Sequence, residues 1–361
     1  MQRIIAKAIL LLLPSSLLII LLLELFFRFV IPAAELPIRK FDEAHGVVHF
    51  DPEHPAGLFS RGRFAEIRAR WRINDAGWNS AIEYRPRTAR QPGRPLVAVV
   101  GDSFVNGFQV EANENLAAVM RARLGAGVDV YRFGMPGAPL SQYLQMSRYV
   151  SAKFEPEVLV FVVVHNDFDE SLPELRSMPG YLQVSPRGNQ FDEIAPRPPP
   201  GLGELPWWAH SATARYLRIT LRSPLMLPGP RPSRAERVKS NIRVDAVRAE
   251  QKLIRAATFD LVGRIARENA DKAILFAMDA PRDDLYSGQA SGVAWLNRLL
   301  AEACAAHGLA FLDLSEVLGP HFEEHGERFE FAVDAHWNAL AHGLVGDALA
   351  SRVLDLLPDP R

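Results

Sequence analysis

The 361-residue sequence holds a single cysteine, Cys304. No intrachain disulfide can brace the chain, so its fold must rest on a packed core. Cys304 follows Leu299 and Leu300 at helical spacing and reads as core filler. An excess of charge is also missing. The formal net charge is −1, which argues against a nucleic-acid partner, because phosphate backbones select basic surfaces. The glycines of phosphate-binding loops are absent as well. An apolar run, Leu96 to Val100, stops at Gly101, but Asp102-Ser103-Phe104-Val105 follows. That gives neither G-x-G-x-x-G nor G-K-[ST]. Val105 also stands where the G-x-S-x-G nucleophile elbow requires glycine.

What is present is an α/β pattern. Hydrophobic residues make up 48% of the chain, enough for a sizeable core in one large domain or two small ones. Leu96 to Val100 and Val158 to Val164 are unbroken apolar runs and read as strands buried on both faces. Between and after them, helices are expected over about 113–124, 140–154, 245–269, 292–307 and 339–357. Further strands are expected over 128–133, 272–278 and 309–314. This alternation predicts a three-layer α/β/α fold around a five-stranded, mainly parallel sheet. A β-rich lead-in over 31–94 carries Trp71 and Trp78, which would be costly to leave exposed. It ends in a basic linker, Arg85 to Arg94. The main domain, 95–361, is interrupted at about 170–240 by a segment rich in proline and arginine, including Pro198-Pro199-Pro200, Pro228 and Pro230. A helix-like piece there, Trp207 to Arg222, reads as packed on the body. A lid, or contact with a lipid surface, is the alternative.

Residues Ile4 to Leu23 are apolar except for Lys7, Pro14, Ser15 and Ser16, close to the roughly 20 residues that a bilayer-spanning helix needs. A cleavable signal peptide has a shorter apolar core and a small-residue site, and Pro32-Ala33-Ala34 is a poor one. Residues 1–30 are therefore expected to form an uncleaved single-pass anchor. Its membrane contact lies within 4–27, with Ala8 to Phe27 in the bilayer. Arg3 and Lys7 before the apolar run favour an inside amino end and an extracytoplasmic body.

Four blocks occur in order: Gly101-Asp102-Ser103; the Gly-rich turn Gly134-Met135-Pro136-Gly137; His165-Asn166-Asp167; and Asp334-Ala335-His336-Trp337. Together they resemble the SGNH, or GDSL-type, hydrolase family over roughly residues 95 to 345. The resemblance implies a flavodoxin-like sheet and acyl chemistry on an ester carbonyl. Ser103 would be the nucleophile, His336 the proton carrier and Asp334 its partner. The backbone N–H groups of Ser103 and Gly137 and the side chain of Asn166 would form the oxyanion hole. It implies no cofactor and no metal.

A serine hydroxyl needs an adjacent base, imidazole titrates near neutrality, and Asp334 lies two residues before His336, where a turn can set both on one side. Two departures stand out: Val164 replaces the family's usual glycine, and the spacing is D-x-H rather than D-x-x-H. The D-x-H-W form is similar to that of alginate O-acetyltransferase-like relatives, although in those the Asp-His motif precedes the serine. The expected activity is hydrolysis of O-acyl esters, acetyl above all, on carbohydrate. Two alternatives are O-acyl transfer to a cell-envelope or exported polysaccharide, and a non-catalytic carbohydrate-binding protein that keeps the fold. A further motif, His321-Phe322-Glu323-Glu324-His325, fits the H-x-x-E-H zinc pattern. Pro320 and Gly326 bound it tightly, and zinc would need a third ligand besides, with little chain left after the motif, so a metal is not expected there.

Overall fold

The computed structural model describes residues 2–222, 242–290 and 292–357. Pro228 and Pro230 lie outside the described residues. The central sheet has five strands: β1 (Leu96–Gly101), β2 (Asp129–Gly134), β3 (Val158–Val163), β4 (Ala273–Met278) and β5 (Ala310–Asp313). Their order is β2-β1-β3-β4-β5, and every neighbouring pair is parallel. The expected five-stranded parallel α/β/α architecture is therefore present.

The apolar runs explain the layers. Successive side chains of a strand point to opposite faces. Leu96, Ala98 and Val100 join one buried cluster, together with Leu159, Phe161 and Val163. Val97 and Val99 join the other, with Val158, Val160 and Val162. Helices Leu140–Phe154, Gln251–Glu268 and Trp295–Ala306 cover the first face, and Leu116–Leu124, Ser315–His325 and Ala339–Leu354 cover the second. Cys304 is buried in the first cluster.

Several expectations are corrected. The long helix over 245–269 is two helices, Val244–Ala249 and Gln251–Glu268, because the Glu250 backbone leaves the helical region. The piece from Trp207 to Arg222 is not one helix. It is a 3-10 turn (Trp207–His210), a short α-helix (Ala212–Arg215) and a π turn (Tyr216–Thr220), divided by the extended backbone of Ser211. The basic run 85–94 is not a loose linker. It contains a 3-10 turn, and the buried Arg90 donates to the carbonyls of Phe154 and Glu155. The 170–240 segment also contains an antiparallel hairpin, Gln183–Arg187 with Gln190–Ile194.

The lead-in forms two antiparallel hairpins, Arg39–Asp42 with Val47–Phe50 and Ala56–Arg61 with Ile67–Arg72. Trp78 is fully buried, and its ring sits 5.3 Å from that of Phe133 at the end of β2. At the amino end, Gln2–Phe29 is one 28-residue helix, about 42 Å long at 1.5 Å per residue. It is long and apolar enough to cross a membrane, by length and composition alone.

The end of this helix is docked on the body. Glu24 accepts hydrogen bonds from Ser211 Oγ (2.9 Å), Ala212 N (2.7 Å) and Thr213 N (3.1 Å). Phe27 stacks on Tyr216 with ring centroids 3.8 Å apart. The contact with the body thus begins at Glu24.

Candidate active site

The carboxyl ends of β1, β2 and β3 converge on one crevice, at the point where the strand order reverses; open α/β sheets bind ligands in this position. Gly101 closes β1 beside Gly134 of β2 and Val162 of β3. Ser103 then opens a single helical turn, Ser103–Asn106, which Asp102 caps by accepting from Phe104 N at 2.8 Å. The serine is thereby held at the sheet edge.

Asp334 and His336 lie on a short strand, Asp334–Trp337, paired antiparallel with Glu330–Phe331. The expected turn is therefore a strand. Its two-residue period explains the D-x-H spacing, since positions i and i+2 face the same side. His336 Nε2 is 2.8 Å from Ser103 Oγ. His336 Nδ1 hydrogen-bonds Asp334 Oδ1, and the His336 backbone N–H donates to the same oxygen at 3.0 Å. Burial would raise the Asp334 carboxyl, but its hydrogen bonds with His336 and the facing cationic charge outweigh that and hold it below the ordinary carboxylate range. Arg61 Nε, from the second lead-in hairpin, lies 3.5 Å from Asp334 Oδ2.

The tryptophan of the D-x-H-W motif does not enter the crevice. Trp337 is fully buried, donates from Nε1 to Asp279 Oδ1 at 3.0 Å, and meets the Phe104 ring edge-on at 5.1 Å. It braces the strand that carries His336.

Asn166 begins the turn Asp167–Glu170 after β3, and its Nδ2 donates to Glu170 Oε2 at 3.0 Å. Glu170 Oε1 is 2.6 Å from Arg176 Nη1. The two glycines of the turn after β2 differ in surroundings. A Cβ on Gly134 would lie 2.1 Å from the Asn106 backbone nitrogen, so Gly134 permits the close approach of two chain segments. Gly137 has φ +80°, and the nearest atom to a Cβ there is 3.8 Å away. Gly137 lines the crevice together with Ser103, Asn166, Asp334 and His336.

Behind the serine lies a set of buried carboxyls. Asp102 is raised to about 6, chiefly by burial, with the Phe104 N–H and the His336 charge opposing. Burial likewise raises Asp169 to about 6 and Glu170 to about 7. Asp167 is pushed well above the usual range by burial and by the neighbouring Asp102, and it accepts from Tyr143 Oη at 2.7 Å.

No family model matches the chain. No curated protein matches it either. Solved structures do. One is described as a putative arylesterase from Agrobacterium tumefaciens (15% identity, 73% of this chain and 100% of that one, TM-score 0.38). Another is a carbohydrate acetylesterase from Sinorhizobium meliloti (12%, 73% and 100%, TM-score 0.37). A third is a member of the lipolytic G-D-S-L family from Veillonella parvula (10%, 73% and 99%, TM-score 0.40). Likeness at this level is slight, and function must be read from the residues of the crevice.

The crevice is large, about 1750 Å³. Its floor is made by the loops after the sheet. Its walls come from Ala34 to Arg39 and Phe59 to Arg63 of the lead-in, and from Pro199 to Pro206 and Ile219 to Arg222 of the long interruption. Sequence reasoning missed Arg61, which no local motif marks. It also missed Glu170, although its spacing of four residues from Asn166 is a helical contact distance. The His321/His325 motif does lie on a helix, Ser315–His325, despite Pro320. His321 Nε2 engages Glu327 at 3.1 Å, and His325 lies 3.7 Å from Glu324. Among the described residues no group of three or more His, Cys, Asp or Glu is placed to hold a metal ion.

Proposed function

We propose that this chain is a membrane-anchored, extracytoplasmic serine ester hydrolase that removes O-acyl groups, acetyl above all, from carbohydrate. The observation that carries this reading is the continuous line from Ser103 Oγ through His336 to the Asp334 carboxylate.

Ser103 Oγ attacks the ester carbonyl carbon while its proton passes to His336 Nε2. Asp334 stays ionised, orients the ring through Nδ1 and stabilises the imidazolium that forms. The oxyanion is met by the N–H groups of Ser103 and Gly137 and by Asn166 Nδ2, whose orientation is held by Glu170. As the C–O bond breaks, His336 returns the proton to the leaving alcohol. His336 then takes a proton from water, which attacks the acyl-serine, releases the acid and restores Ser103.

A crevice of about 1750 Å³ far exceeds what an acetyl group needs, which supports a large alcohol portion such as a glycan. The same volume supports a second reading, in which a sugar hydroxyl replaces water as acceptor and the product is an acylated polysaccharide. The charge pattern at Arg3 and Lys7 supports the body lying outside the cytoplasm.

The test is hydrolysis of a short-chain aryl ester by the full chain in detergent, beside Ser103→Ala. The variant is expected to lose at least about 10³-fold in kcat, and a fluorophosphonate probe should label wild type stoichiometrically but not the variant. Equal rates, or no labelling of wild type, would leave the non-catalytic binding protein as the reading. Acylated glycan exceeding free acid when an oligosaccharide is supplied would favour the transferase.

A further inference from the structure

The large hydrophobic side chains left exposed are not spread evenly over the body. Outside the amino-terminal helix they are Val30, Phe64, Ile194, Trp207, Leu221, Val333 and Leu354 among the described residues. All but Ile194 and Leu354 surround the place where that helix meets the body. Val30 is the next residue of the chain after the helix. Trp207, 85% exposed, lies four residues before Ser211, which bonds Glu24. Phe64, 63% exposed, follows Arg63, whose carbonyl accepts from the hydroxyl of Tyr216, the residue stacked on Phe27. Leu221 follows Thr220, which accepts from Ala34 N at 2.9 Å and, through its carbonyl, from Gly62 N at 2.8 Å. Val333 lies beside Gly62 and immediately precedes Asp334.

This ring is joined rigidly to the helix. Val30 N and Ile31 N bond back to Phe26 O, and Ala33 N to Phe27 O. Ala33 and Ala34 are buried, and Glu35 N and Leu58 O tie the chain into the second hairpin. Residues 30–38 are thus no slack tether, and the helix axis fixes the attitude of the body. The ring adjoins the crevice, since two of its members, Leu221 and Val333, line the crevice beside Ala34 and Arg222. Arg63 lies over the Phe64 ring at 6.0 Å, and Arg218 over Trp208, the neighbour of Trp207, at 4.5 Å.

We propose that the body rests on the bilayer that holds the helix, with Trp207 and Phe64 in the headgroup layer and the mouth of the crevice at the membrane–water interface. This rests on the reading of Gln2–Phe29 as a membrane anchor. Aromatic side chains concentrate at that depth, and arginine suits anionic headgroups. Glu24 marks the level at which the helix leaves hydrocarbon, and the 207–213 segment meets it there. An exposed apolar patch on a soluble body is costly, and it is accounted for when lipid covers it. The crevice then takes its ester from a molecule held at or emerging through the membrane surface, rather than from bulk solution.

The test uses the full chain in nanodiscs of phosphatidylcholine and phosphatidylglycerol, with phospholipid brominated near the headgroup end of the acyl chains as quencher. The emission component lost in Trp207→Phe is expected to be quenched at least twofold. As a control, Ile194→Trp is added to the Trp207→Phe variant, and the emission it restores should be unaffected by bromine. Both variants should hydrolyse a soluble aryl ester in detergent at the wild-type rate, since neither site lies in the crevice. An unquenched Trp207 component in chain that co-elutes with nanodiscs would overturn this inference alone, as would equal quenching at position 194. Chain that fails to co-elute would overturn the anchor reading itself.

Discussion

Replacing Glu170 with glutamine isolates the electrostatic cost of one carboxyl beside the candidate oxyanion site. Glu170 is 1% exposed. Burial is the main cause that moves it from 4.5 to about 7; the Arg176 charge and the Asn166 amide oppose the shift, and Asp169 and Asp102 add to it. A folded-state value above the unfolded one means that, between about pH 4.5 and 7, the folded protein holds a proton that the unfolded chain has released. Stability therefore falls as pH rises through that window and levels off above it. At 1.36 kcal/mol per unit, the fall due to this group is about 3 kcal/mol.

Asp102 and Asp169, both raised to about 6, act in the same sense. The lowered Asp334 acts oppositely, but only at more acid pH, where it is protonated. Glu170→Gln keeps the size and one acceptor and removes the titration. Urea unfolding of the full chain in detergent, followed by tryptophan fluorescence at about pH 5 and about pH 8, reads the effect. The stability of the variant relative to wild type should rise by about 3 kcal/mol between the two conditions. A difference that stays constant with pH would refute the reasoning, and with it the view that Glu170 is ionised only near neutrality.

Two further expectations concern the oxyanion donors. Asn166→Ala should lower kcat on a short aryl ester by about 10²–10³ with little change in KM, because the amide acts on charge that develops only in the transition state; an unchanged kcat would remove Asn166 from the site. Gly134→Ala and Gly137→Ala should part company: the first places a methyl 2.1 Å from the Asn106 backbone nitrogen and should impair folding, while the second has room, pays only for its positive φ, and should fold with reduced kcat. Comparable unfolding midpoints for the two variants would contradict this.

The layers of the fold were legible in the sequence because a strand buried on both faces must be apolar throughout. The runs Leu96–Val100 and Val158–Val163 carry that signature without help from neighbours. The four ordered blocks were legible through the resemblance they carry, and three of them sit at strand ends, where turns favour small or capping residues. Breaks that answer to packing were hidden. Nothing at Glu250 announces the end of a helix, and the π turn at Tyr216–Thr220 exists where the chain meets Phe27 and Ser60.

The sequence by itself therefore determined the parallel α/β sheet and the position of Ser103 at its edge, which follow from local periodicity. His336 and Asp334 were singled out as candidates by the resemblance that the four ordered blocks carry, together with the chemistry their residue types can perform. Only the tertiary structure decided that Asp334 and His336 share one side of a strand, that Trp337 is a brace, that Glu170 holds Asn166 and that Arg61 faces Asp334. It alone decided, too, that the amino-terminal helix is locked through Glu24 to the 211–213 segment, which lies between two stretches of the crevice wall. Each of these contacts joins residues whose meeting depends on how separate elements pack, and no pattern along one segment encodes the partner that another segment supplies.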